Sequence, residues 1–363
     1  MPLRLAAAGL WGRGNGDRIT SGLSGLDNRR DKARLRRRQA GSAEKGMDKA
    51  GVPPSAGTER QEGAMADGAR ELIGQADLYA ALRGLAARQP DLTMERVLAE
   101  LTAGDDAARS TAARLAQVDQ GLLAAVMRAG RGLPASAAEA AVRRHLGRVA
   151  VAPVFTAEIA GAASIALPTR GERPDMPAFS DRAFDDWFAA QGATYGLGLY
   201  GEKRSVYATD QFADAASPER RVIHLGIDVF APAGTPVHAP LPGRVRHLTY
   251  NADPLDYGHT LILEHEAEGT PFFTLYGHLG ASLPHILRPG DRVAPGQLVA
   301  HLGGWSENGG WAPHLHFQII TDLLHQAQGN FFGVGHESLW DVWQSVSPDP
   351  NLILRLPADR FSL

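Results

Sequence analysis

Three segments of this chain carry side chains that could hold a metal ion and move protons. The first is His314-Leu315-His316-Phe317-Gln318-Ile319-Ile320. It alternates and ends in apolar β-branched residues, so it reads as a strand. Successive strand residues point to opposite faces, which puts His314 and His316 together and Leu315 and Phe317 on the other side. Two adjacent imidazoles suit a core poorly, because each needs partners for its ring nitrogens. A metal supplies a partner; a plain surface strand would leave both to solvent. The second segment is His224-Leu225-Gly226-Ile227-Asp228. Gly226, Ile227, Val229 and Pro232 disfavour a helix there. In an extended chain residues i and i+4 share a face, so His224 and Asp228 can converge on one ion. The third, Leu275-Tyr276-Gly277-His278-Leu279, lies between the other two. Two histidines and one aspartate are an ordinary zinc ligand set with a fourth position open for water. His278 and one of the paired histidines then remain for proton transfer, and spacing leaves open which of the pair. H-x-x-x-D and H-x-H are each common by chance; their order around Tyr-Gly-His-Leu is much less so.

The rest of the chain must position these groups. Its 363 residues suffice for one large or two modest domains. With 44% hydrophobic and 21% charged residues, part of it is globular. A net charge of -3 argues against a dedicated nucleic-acid binder. The absence of cysteine excludes a disulfide framework and a thiolate metal site. No apolar run is long enough for a transmembrane segment. The first eleven residues make a poor signal peptide, with one arginine before a very short apolar run. The expected location is therefore cytoplasmic by default, or periplasmic or cell-wall if another route exports the chain.

Residues 1–70 are rich in Gly, Arg, Ser and Ala and contain the basic run Arg29–Arg38, so a disordered basic leader is expected. Met47 and Met65 are candidate later starts. Residues 71–150 read as a small helical module. Leu115, Val118, Leu122 and Val126 recur at helical spacing, and Ser136-Ala137-Ala138-Glu139 reads as a capping box opening a helix through about Leu146. Residues 151–205 read as a connector. Within it, a short helix is expected with Ser180 as N-cap, Phe184, Trp187 and Phe188 as its apolar face and Gly192 as its stop. Gly196-Leu197-Gly198-Leu199-Tyr200-Gly201 fits G-x-G-x-x-G only weakly, because charged residues follow where a helix should. It is expected to be a glycine-rich loop at the rim of the next domain. Residues 206–363 read as a β-domain. Candidate strands cover 235–239, 244–249, 260–265, 272–278, 298–302 and 314–320, separated by turns such as Pro242-Gly243 and Pro295-Gly296. The fold class expected is α+β, with an antiparallel sandwich or barrel-like catalytic domain after the helices. All but one of the thirteen histidines lie between His224 and His336, an enrichment that serves a metal hydrolase better than a structural domain.

Residues 221–320 resemble the lysostaphin/LytM family of zinc metallopeptidases, which cut peptide cross-links of bacterial peptidoglycan. The resemblance rests on His224-Leu225-Gly226-Ile227-Asp228, Ala231–Val237, Tyr276-Gly277-His278-Leu279, Gly290-Asp291-Arg292-Val293 and His314-Leu315-His316-Phe317. It implies a duplicated-hybrid-motif fold, one Zn2+ per chain on His224, Asp228 and His316, and His278 and His314 as catalytic residues. Zinc there would activate a water, one of the two histidines would take its proton, and the pair would stabilise the oxyanion. Two positions depart from the family: Gln318 stands where Glu is usual, and Tyr257-Gly258-His259 where Tyr-Gly-Asn is usual. Asn308–Pro313 and Pro348–Asn351 look like a subgroup in which this domain is fused to kinase-like and aminotransferase domains. His265-Glu266 and His336-Glu337 lack the second histidine of His-Glu-x-x-His, which excludes a thermolysin-like site.

The expected function is a zinc metalloendopeptidase acting on peptidoglycan or another peptide substrate. The alternatives are a zinc hydrolase on a small intracellular amide and a non-hydrolytic LytM-like regulatory module. His238, His247, His265, His285 and His301 are expected to be structural or solvent-exposed. His259 is read the same way, with the cleft wall as its alternative. Trp305 and Trp311 are expected either to wall the cleft or to pack in the core, and residues 71–195 are expected to cover the cleft in part.

Overall fold

The computed structural model describes residues 68–169, 171–204 and 210–362. The expected leader at 1–70 falls almost wholly outside them. The described chain begins with four helices, α1 (Leu78–Arg88), α2 (Met94–Ala103), α3 (Asp106–Ala116) and α4 (Gln120–Gly130). Each starts at a residue whose side-chain oxygen accepts the N–H three positions on: Asp77, Thr93, Asp105 and Asp119. Leu115, Val118, Leu122 and Val126 are all buried, as their spacing predicts. They do not share one helix, because Asp119 caps a new one and breaks the run.

Two expected caps are corrected. Helix α5 (Glu139–Leu146) forms without a side-chain cap. Ser136 is buried, donates its N–H to Ser345 Oγ at 2.9 Å and accepts only the nearer Ala138 N–H. At α6 (Ala183–Ala190) Asp181, not Ser180, takes the free N–H of Ala183 at 2.9 Å.

The strands are β1 (Ser164–Ala166), β2 (Tyr195–Gly198), β3 (Ile223–His224), β4 (Ile227–Phe230), β5 (Pro236–His238), β6 (Gly243–Asn251), β7 (Gly258–Ala267), β8 (Thr270–Leu279), β9 (Arg292–Val293), β10 (Leu298–His301), β11 (His314–Ile320) and β12 (Val334–Gly335). Short helices α7 (Leu283–Ile286), α8 (Trp340–Val346) and α9 (Asn351–Leu354) complete the chain. One sheet runs β1-β2-β4-β11-β8-β7-β6-β9, antiparallel except for β1 beside β2. Two-stranded ribbons pair β5 with β10 and β3 with β12. All six expected strands form. The fold is α+β: a helical region followed by a largely antiparallel sheet domain.

The glycine-rich stretch at 196–201 is not a rim loop. Gly196 and Gly198 lie in buried β2, opposite Phe230 and Asp228 of β4. A Cβ on Gly198 would meet Asp228 Cβ at 3.0 Å, so the glycine lets the two strands sit close.

The sheet buries both faces. One face, carrying Leu261, Leu263, Tyr276, Leu315, Phe317 and Ile319, packs against α5, α9 and the β5/β10 ribbon. On the other, Ile262, Phe273, Leu275 and Ile320 lie under α1–α4 and α8. Ile320 shares its face of β11 with Gln318, His316 and His314 by alternation. The helices therefore cover one end of the very face that bears the paired histidines. Among the described residues no helix is long and apolar enough to cross a membrane.

Candidate metal centre and active site

Strand register assembles the site. His316 of β11 lies opposite Asp228 of β4, and His314 lies opposite Phe230. His224 ends β3, and a bend at Leu225-Gly226 leads from it into β4 and Asp228. A Cβ on Gly226 would meet the His316 ring at 2.5 Å, so any side chain there would push His316 aside. All four polar residues, His224, Asp228, His314 and His316, are buried.

Three of them form a triangle. His224 Nε2 lies 3.0 Å from His316 Nδ1, and Asp228 Oδ1 lies 3.2 Å from the first and 3.0 Å from the second. The outer nitrogens fix the tautomers. His224 Nδ1 is 2.8 Å from Leu199 O, and a carbonyl only accepts, so Nδ1 carries the proton. Gln318 Nε2 donates to Phe332 O and Ser347 Oγ, which leaves Gln318 Oε1 to accept from His316 Nε2 at 3.0 Å. Two imidazole lone pairs and a carboxylate oxygen therefore converge with no proton among them. Unaided, that arrangement is repulsive, and one cation satisfies all three. The separations approach the about 3.3 Å edge of a tetrahedron with zinc-like bond lengths. Among the described residues, these three are the metal-type cluster the fold builds. The expected ligands fit a zinc ion.

Arg204, which the sequence analysis passed over, is buried behind the triangle. Its Nη1 is 2.7 Å from Asp228 Oδ2 and its Nε 3.1 Å from Glu202. Burial alone would raise the Asp228 carboxyl, but His224 and Arg204 outweigh it and hold Asp228 well below the usual carboxylate range. Burial, and then Arg204, pushes His224 down to about 4. Both groups stay in their metal-binding forms at neutral pH.

His278 reaches the site by a backbone device. Gly277 pairs with His316, so strict alternation would turn the next residue, His278, into the opposite core. Instead His278 has φ +65, in the left-handed region, next to an irregularity in the β7–β8 register. Hydrogen bonds from His278 N–H to Tyr257 O and from Gly303 N–H to His278 O hold it there. Such a conformation costs about 1–3 kcal/mol, which the surroundings must offset. The turn brings its ring within 4.2 Å of the His314 ring, centroid to centroid. His278 Nδ1 donates to Asn308 O at 2.9 Å and His314 Nδ1 to Ala312 O at 2.6 Å, so both keep Nε2 as a free acceptor. Burial lowers both imidazoles below their ordinary pKa, His278 well below.

These groups line a cleft of about 290 Å³, walled by Phe179, Trp311, Tyr257, Asp256 and Phe332 among others. The Tyr257 hydroxyl lies 3.5 Å from His316 Nε2, a contact that the Tyr257-Gly258-His259 pattern does not disclose. Of the two tryptophans, Trp311 both lines the cleft and belongs to the apolar cluster around Phe179 and Phe230, whereas Trp305 packs against that cluster and donates to Asp185. His259 stacks on Tyr250 at 4.3 Å and is not among the residues that line the cleft. The idea of a lid over the cleft is corrected: among the described residues of 71–195, Phe179 alone lines it. The helices spend their apolar faces on the far end of the sheet.

A buried three-donor metal centre with two further histidines, set on a largely antiparallel sheet, is the class of site defined here. Residues 222–328 match peptidase family M23, and the chain carries a peptidase family M23 domain. Over 103 residues it is 33% identical to the peptidoglycan DD-endopeptidase ShyC of Vibrio cholerae, covering 28% of this chain and 21% of that protein. Over 96 residues it is 33% identical to the DD-carboxypeptidase/endopeptidase Mpg of Neisseria meningitidis serogroup B, covering 26% and 20%. A zinc-containing peptidase structure from Vibrio cholerae aligns at 27% identity over 33% of this chain and 31% of that one, with a TM-score of 0.25. The chain thus spans about a fifth of the length of these curated relatives.

Proposed function

We propose that this chain is a zinc metalloendopeptidase that hydrolyses peptide bonds in peptidoglycan cross-links or stem peptides. The observation that carries the reading is the triangle of unprotonated donors, with two neutral histidines beside it on an open cleft. The printed names of the M23 relatives, a peptidoglycan endopeptidase and a carboxypeptidase/endopeptidase, support the substrate class. The complete donor set favours catalysis over a purely regulatory module.

His224, Asp228 and His316 would hold one zinc. When bound, zinc supplies Lewis acidity, which polarises a scissile carbonyl and acidifies water. Leu199 O and Gln318 Oε1 keep the two ligand imidazoles turned with Nε2 and Nδ1 inward. Arg204 holds the other oxygen of Asp228. His278 and His314 rest neutral, so either Nε2 can accept the proton of the attacking water. The Nε2 that took the proton then hydrogen-bonds the developing oxyanion and passes that same proton to the leaving amine as the C–N bond breaks.

The test is mass spectrometry of purified peptidoglycan incubated with zinc-loaded protein, with His278→Ala as the control. New peptide ends made only by the wild type are the expected result. Zinc bound stoichiometrically with no cleavage would overturn the reading. Action on the wall also requires the chain to reach the periplasm or cell wall, which cell fractionation checks.

A further inference from the structure

One segment, 326–334, contributes Gln326, Asn330, Phe331, Phe332, Gly333 and Val334 to the lining of the cleft. This segment is tied to the site. Phe332 O accepts from Gln318, which itself holds His316, and Gly333 O accepts the Leu225 N–H at 2.9 Å. Val334 pairs with His224. Its other end is tied to the helical region. Asp119 Oδ2 accepts from Gln326 Nε2 at 2.7 Å, and both oxygens lie 3.3 Å from the His325 N–H. Leu324, at φ +54, sits on the first turn of α4, where a Cβ on Gly121 would meet its backbone at 2.7–2.8 Å. A second depression of about 390 Å³ against α4 shares Arg221, Gln326 and Phe332 with the cleft.

We propose that Asp119 is a positioning residue: by anchoring 324–326 to the start of α4, the helical region sets the cleft wall rather than closing it. Asp119 does two separable things. Its Oδ1 caps α4 through the Leu122 N–H at 2.9 Å, and the carboxylate as a whole holds the loop. This assignment rests on the peptidase reading for its kinetic consequence, but not for the anchoring itself.

Two variants separate the roles. Asp119→Ser keeps a good N-cap and is too short to reach Gln326. Gly121→Ala favours the helix and forces the Leu324 backbone away. Both are expected to speed hydrogen exchange in the peptide covering 322–333 while leaving exchange in α1–α4 and zinc content unchanged. On a soluble stem-peptide substrate, KM should rise roughly tenfold, the worth of one hydrogen bond to a charged group, with kcat within about twofold. Unchanged exchange at 322–333 in both variants overturns the proposal, as does a fall in kcat at constant KM. If the wild type cleaves nothing, the peptidase reading falls, and the exchange result alone still decides the anchoring.

Discussion

His265 and His316 are both buried, lie two strands apart, and face opposite sides of the sheet. His265 has a partner at each nitrogen: Nδ1 donates to Pro242 O and Nε2 meets Thr274 Oγ1, both at 2.8 Å. His316 has a partner for its proton in Gln318, while its lone pair faces another imidazole lone pair and a carboxylate. Burial is the same; the difference is whether the last valence is met by the protein. A histidine whose neighbours supply both partners is a core residue. One whose neighbours repeat its own lone pair is chemically suited to share a cation with them.

The comparison breaks most visibly at the ligands. Asp228→Ala removes one donor and the partner of Arg204 Nη1. Zinc content, measured by elemental analysis after gel filtration, should fall to background, and cleavage should drop by more than about a hundredfold. Zinc retained at full stoichiometry in that variant would refute the triangle as the metal site. Next come the two histidines that do not belong to the triangle. His278→Ala and His314→Ala should each keep zinc and lose on the order of 10²-fold in kcat. If either variant loses its zinc instead, that residue is a ligand and the division of roles is wrong.

A subtler cut is at Gln318. Gln318→Leu leaves His316 with its volume of neighbours but takes away the 3.0 Å acceptor of Nε2–H, so that the Tyr257 hydroxyl at 3.5 Å is what remains near it. Zinc affinity, read by competition with a chromogenic chelator, should weaken by roughly 10–100-fold, the usual cost of losing an outer hydrogen bond to a ligand. An unchanged affinity would mean that strand packing alone holds the ring.

Gln318 also marks where the sequence was legible and where it was not. Its departure from the family's glutamate could be seen; its reason could not. Phe332 O and Ser347 Oγ both demand a donor, and they come from segments 14 and 29 residues away. Strand β11 was readable because alternation is local: His314 and His316 on one side, Leu315 and Phe317 on the other. The order of ligand-bearing segments was readable for the same reason. Arg204 was not, since its partner Asp228 lies 24 positions on and charge normally signals surface. Nor was the placement of His278, because a strand pattern predicts the wrong face, and the left-handed turn that corrects it is held by Tyr257 and Gly303. The lid idea came from chain order alone, while burial of Ile262, Phe273 and Ile320 decided where the helices dock.

The smallest effect belongs to the other face. Burial pushes His265 down to about 4, against about 6.5 in an unfolded chain. Above pH 6.5 it is neutral in both states and has no effect on the pH dependence. Between about pH 6.5 and 4 the unfolded chain binds a proton that the folded chain refuses, so stability falls as pH falls. Below about 4 the penalty is complete, at most about 3 kcal/mol. His265→Gln can still donate to Pro242 O and accept from Thr274, yet it cannot titrate. Urea unfolding of metal-free wild type and variant at pH 7 and pH 4.5 isolates this contribution, because the proposed zinc ligands titrate alike in both. The wild type should lose more stability than the variant on acidification, with zinc binding and cleavage at pH 7 unchanged. Equal losses would mean that His265 takes up its proton as readily in the fold as in the unfolded chain, and the contrast between a satisfied and an unsatisfied buried histidine would have to be drawn at another pair.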